Sequence, residues 1–92
     1  MQYHVIVPRE VSQAVGTFGL GRIALINLFT TLRQELGSRG DAYRQNRDPS
    51  LPDVRFLFEL DVRDHGQLRG FRFAVDDVQA PGFLFVVAAE EI

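Results

Sequence analysis

Hydrophobic and polar residues alternate without a break from Val54 to Arg63. Val54, Phe56, Phe58, Leu60 and Val62 fall on one side, and Arg55, Leu57, Glu59, Asp61 and Arg63 on the other. A period of two sustained over that length predicts a half-buried strand. Asp64-His65-Gly66-Gln67 interrupts it as a turn. Leu68 to Asp76 predicts a second strand with Phe71, Phe73 and Val75 on one face, Ala80-Pro81-Gly82 a second turn, and Phe83 to Ala89 a third strand. The last strand is apolar on both faces, with Phe83, Phe85, Val87 and Ala89 alternating with Leu84, Val86 and Ala88, which predicts an interior position in the sheet. Leu84 and Val86, with Leu57 and Ala74 near them, are expected on a face without cover, where a partner could sit.

The pattern upstream is different. Gln2 to Val7 alternates as a short strand and stops at Pro8, which lacks an N–H for a ladder. Val11, Val15 and Phe18 recur at helical spacing, predicting a helix over Arg9 to Phe18. Leu25, Leu28, Phe29, Leu32 and Leu36, widened by Ile26, predict a longer helix over Arg22 to Leu36, with Gly37 as a left-handed cap. Ser38 to Asp53 is polar and aperiodic and reads as a long connector with turns at Asp48-Pro49-Ser50 and Leu51-Pro52-Asp53. The predicted fold is α+β in the order β-α-α-β-β-β. Its four-stranded sheet is mostly antiparallel, carries both helices on one face, and places the first strand beside the last.

Ninety-two residues with 46% hydrophobic content form one domain, 1–92. The absence of cysteine excludes disulfides and thiolate metal sites. No signal segment and no span-length apolar run is present, so the expectation is a cytoplasmic protein with no membrane partner. All ten basic residues are Arg, and twelve acids leave a net charge of −2. That total argues against binding nucleic acid through charge alone. The charge is also segregated, because Asp76, Asp77, Glu90 and Glu91 crowd a C-terminal stretch that has no base.

Two histidines at unrelated spacing make no metal motif, and no cofactor is expected. His65 reads either as an exposed turn residue or as a general acid–base group at the mouth of a cleft. Gly19-Leu20-Gly21 lacks the continuation of a phosphate-binding loop. The arginines remain. If Arg44, Arg47, Arg69 and Arg72 converge, they form a phosphate-sized clamp, with Arg55 as a further basic contact. Paired with acids instead, they form a surface ion-pair network.

Pro52-Asp53 leading into a strand, then Leu68-Arg69-Gly70-Phe71-Arg72-Phe73-Ala74-Val75-Asp76, then Phe83-Leu84-Phe85-Val86-Val87, resembles the RelE/ParE superfamily of bacterial toxins over the whole chain. The resemblance implies a toxin held by a cognate antitoxin. It also implies an endoribonuclease (mRNA interferase) acting on ribosome-bound mRNA with Arg69 at the scissile phosphate, if the chain is like the ribonuclease members, or action on a protein target, if it is ParE-like; in the first case Tyr43 or His65 would substitute as the acid–base group. The acidic Ala89-Glu90-Glu91-Ile92 stands where the family often carries Arg and a catalytic Tyr or His. A catalytically inert interaction module or homodimer with the same fold is therefore the alternative.

Overall fold

Alternation builds the sheet as the sequence predicts. The computed structural model describes residues 2–45, 50, 55–77 and 82–92. The elements are β1 (His4–Ile6), α1 (Arg9–Gly16), α2 (Arg22–Gln45), β2 (Arg55–Asp64), β3 (Gln67–Asp76) and β4 (Phe83–Glu91). The sheet order is β1-β4-β3-β2. The two hairpin pairings are antiparallel. β1 runs parallel to β4, so the sheet is mixed.

The covered face carries Phe56, Phe58, Leu60 and Val62 from β2, Phe71, Phe73 and Val75 from β3, and Leu84 and Val86 from β4. Leu28, Leu32 and Leu36 of α2 and Val11 and Val15 of α1 close over them. α2 packs on β2 and β1, and α1 on β4. Burial of each large side chain here contributes about 1.5–3 kcal/mol. Ile26, expected to widen the α2 stripe, is exposed instead.

Three expectations change. Leu84 and Val86 are fully buried beneath the helices and do not lie on the open face. A strand apolar on both sides does not declare its parity, and pairing does it instead: Val75 faces Val86, and Val5 faces Leu84. Phe83 and Phe85 turn outward with His4 and Ile6, and His4 stacks on Phe83 with ring centroids 5.4 Å apart.

Gly37 does not end the first helical stretch of α2, which runs on to a kink at the non-helical Arg39 (φ −124°, ψ 18°), and a second helical stretch continues from there to Gln45. Gly37 and Gly40 serve close packing. The Tyr3 N–H donates to the Gly37 carbonyl at 2.8 Å. A Cβ on Gly40 would stand 2.9 Å from both the Tyr3 ring and Leu84 Cδ1. Ser38 to Gln45, predicted as connector, is therefore helical, and Tyr43 in it meets Phe58 edge-on at 4.7 Å. The turns predicted at 48–53 fall outside the described residues apart from Ser50, as does Val54.

The register of β3 with β4 shifts by one residue between Ala74 and Val75. Val75 pairs with Val86 and Ala74 with Ala88, so Val87 is the extra residue of a bulge. Beyond it Ala89 and Glu91 lie on the helix side, and Ala88 and Glu90 on the open side.

Candidate functional site

β2 and β3 are joined by two residues in left-handed conformation, His65 (φ 51°) and Gly66 (φ 80°). Consecutive positive φ angles give the tight primed turn whose twist suits a hairpin. The turn brings Asp64 and Arg69 to the covered face of the sheet, against the junction of α1 and α2. Asp64 is the buried acid there and accepts from the Gly21 N–H at 3.1 Å.

Arg69 lies in a cradle of acceptors. Its Nε and one terminal nitrogen donate to the two carboxylate oxygens of Glu91 at 2.8 and 2.7 Å. That same nitrogen donates to the Phe18 carbonyl at 2.6 Å, and the other reaches Asp64 Oδ2 at 3.3 Å. The guanidinium also stands 5.7 Å from the centre of the Phe71 ring, which stacks on Phe18. Hydrogen bonding to Glu91 raises the Arg69 pKa and lowers that of Glu91, so the two shifts agree.

The open face is ordered by register. Arg55 faces Asp76, and its Nε and a terminal nitrogen donate to the carboxylate at 2.7 and 3.1 Å. Arg72 faces Glu59 on one side and Glu90 on the other, donating to them at 2.9 and 3.1 Å. Between these closed ion pairs lie Leu57, Ala74 and Ala88, with a shallow recess of about 230 Å³, and Phe85 and Ile6 continue the Arg55–Asp76 row across the sheet.

No family profile and no curated protein matches this sequence. The fold does match. A solved structure of E. coli toxin RelE, a double arginine-to-alanine variant in the free state, superimposes with a TM-score of 0.60. The match covers 97% of this chain and 82% of that one at 16% identity.

The chain has a RelE-like fold.

Within this RelE-like frame, Arg69 and Arg72 leave β3 on opposite faces and do not share a clamp. Arg44 falls in the last turn of α2, and Arg47 lies outside the described residues. His65 is 85% exposed at the turn, with Nε2 3.6 Å from Asp64 Oδ1. Arg55 and Arg72 stand on the open face in ion pairs, and of the predicted partner-binding residues only Leu57 is exposed there. Among the described residues no cluster of His, Cys, Asp or Glu could hold a metal, and no helix is long and apolar enough to cross a membrane.

Sequence reasoning overlooked Asp64 and Glu91 as the residues that hold Arg69. The Asp64 signal was present in the alternation, since Asp64 continues the Phe56-to-Val62 parity into the core face. Glu91 carried none, because its side of the sheet depends on the bulge.

Proposed function

We propose that this chain is a RelE-like toxin-type protein that acts by binding another protein, and that Arg55, Arg69 and Arg72 of its sheet hold the fold together. The observation that carries this reading is the Arg69 cradle. Stabilising a phosphorane-like state requires donors aimed at the place where charge develops. Arg69 directs its donors at Glu91, Asp64 and the Phe18 carbonyl instead. Arg55 and Arg72 are likewise bound to carboxylates. An RNA backbone approaching these arginines would have to displace Glu59, Asp76, Glu90 or Glu91 and would meet the displaced negative charge.

The open sheet face supports the protein partner. Leu57, Phe85, Ile6 and the small Ala74 and Ala88 form an apolar strip bordered by ion pairs, the arrangement of a protein interface with a polar rim. A RelE-like fold suggests a partner of the toxin–antitoxin kind.

The test is induced expression in bacteria, with growth and mRNA integrity followed together, and affinity capture of partners from the same cells. The expected result is intact mRNA and a bound protein partner that Leu57→Arg releases. Cleavage of translated mRNA that Arg69→Ala abolishes would overturn this reading in favour of an mRNA interferase.

A further inference from the structure

The arginines of β2 and β3 differ in one respect that register makes plain. Arg55 and Arg72 each face an acid across the ladder, but Arg63 faces Leu68. Among the described residues Arg63 and Arg22 make no ion pair with any carboxylate. Both line one cleft of about 390 Å³ between the start of α2 and the β2–β3 turn. β2 is the edge strand, so the long Arg63 side chain can contribute to this wall from the outer side.

We propose that this cleft binds a small organic phosphate, a phosphate monoester carried on a ring-sized apolar body. Arg22 and Arg63 would take the phosphate through charge-assisted hydrogen bonds. Competition from the protein is low. α2 has no acidic residue in its first turn, and Asp64 is committed to Arg69 and the Gly21 N–H. Ile23, 77% exposed, and Ala24 supply the apolar wall for the ligand's body. The volume falls in the usual range for small-molecule sites, about 300–1,000 Å³.

The start of α2 and the turn are in close contact. A Cβ at Gly21 would stand 3.0 Å from Asp64 Oδ1 and 3.3 Å from His65 Nε2, so a larger residue there would have to push these two side chains back by a few tenths of an ångström. His65, at φ 51° in the turn, places an exposed imidazole at the cleft. An imidazole there can donate to a phosphate oxygen, which a glycine cannot.

The proposal is independent of the partner-binding reading, since the cleft and the apolar strip involve different residues. The test is a ¹H–¹⁵N NMR titration of the full chain with adenosine monophosphate, inorganic phosphate and adenosine. Adenosine monophosphate is expected to shift the amides of Ile23, Ala24, Arg63 and Gly66. Phosphate should shift the same amides at higher concentration, and adenosine should leave them unmoved. Arg22→Gln and Arg63→Gln should each weaken adenosine monophosphate at least about fivefold, as loss of a charge-assisted contact does. Unchanged amides in the β3–β4 core would show that both variants are folded. Silence of the cleft amides at about 10 mM ligand, equivalent to no useful affinity, would overturn the proposal. So would equal binding of adenosine, or full affinity in the doubly substituted chain.

Discussion

Arg69 and Glu91 meet fork to fork, two parallel hydrogen bonds of 2.8 and 2.7 Å joining the start of β3 to the end of β4. The pairing has a sign in pH. Hydrogen bonding to Arg69 holds the Glu91 carboxyl below its ordinary value of 4.5. A depressed folded-state pKa stabilises the fold above the unfolded value, and that contribution fades as pH falls through the folded one. Thermal unfolding followed from pH 7 to pH 3 should show the midpoint dropping as pH falls below about 4.5. Glu91→Gln should lower the midpoint at pH 7 and flatten that part of the profile. A variant that tracks the parent across the whole range would show that the pair contributes nothing.

Freeing Arg72 should change what the open face attracts. Glu59→Gln with Glu90→Gln removes both carboxylates that hold it. Single-stranded RNA should then bind more tightly, and the log–log salt slope should steepen by about 0.7 for each phosphate newly contacted. Fluorescence anisotropy with a labelled oligouridylate across a salt series reads both quantities. RNA binding that is already strong in the parent chain would contradict the view that Arg55, Arg69 and Arg72 are neutralised in place.

Gly40→Ala sets two effects against each other. The alanine gains about 1 kcal/mol of helix propensity. Its methyl group, however, would meet the Tyr3 ring and the buried Leu84 at 2.9 Å. Overpacking of this kind costs about 1–3 kcal/mol, and both neighbours are held by β1 and the core. A net loss of stability is expected in urea denaturation. A gain would mean that β1 can step away from α2 freely.

Phe58 joins three layers of contact, being fully buried, edge-on to Tyr43 and 6.4 Å from the Phe73 ring centre. Phe58→Ala should cost about 3–5 kcal/mol, read from the same denaturation curves. Tyr43 donates its hydroxyl to Glu35 at 2.9 Å. Burial, then the bond to Glu35, raises its pKa above the ordinary 10.0. A raised folded-state pKa contributes stability below pH 10, lost as pH climbs through the folded value. Tyr43→Phe should cost about 0.5–1.5 kcal/mol at neutral pH and weaken this alkaline dependence.

The sheet was legible because its strands alternate over long runs. Phe56 to Val62 and Phe71 to Val75 each declare one face unambiguously, and the place of β1 beside β4, though not its parallel direction, followed from the doubly apolar last strand. β4 defeated the same reasoning. Leu84 and Phe85 are equally acceptable in a core, and cross-strand pairing makes the choice. Gly37 misled for a different reason: glycine after an apolar stripe looks the same whether it ends a helix or lets another chain segment touch it. Of the candidate site, Arg44, Arg47, Arg55, Arg69 and Arg72 were legible as a set of arginines. That Arg55 and Arg72 are held depends on which acids stand opposite, a property of register, and Arg69 meets Glu91 only because the bulge sets the side that β4 presents there.

The bulge at Val87 makes the electrostatics of this face a matter of counting. Had Val87 paired opposite Ala74 in an unbroken ladder, Glu90 would stand opposite Phe71 beneath the helices and Glu91 would turn outward. Deleting Val87 would only smooth the strand, because Ala88 to Glu91 already keep their partners from Ala74 onward; the extra residue is what lets the chain place each acid beside its own arginine.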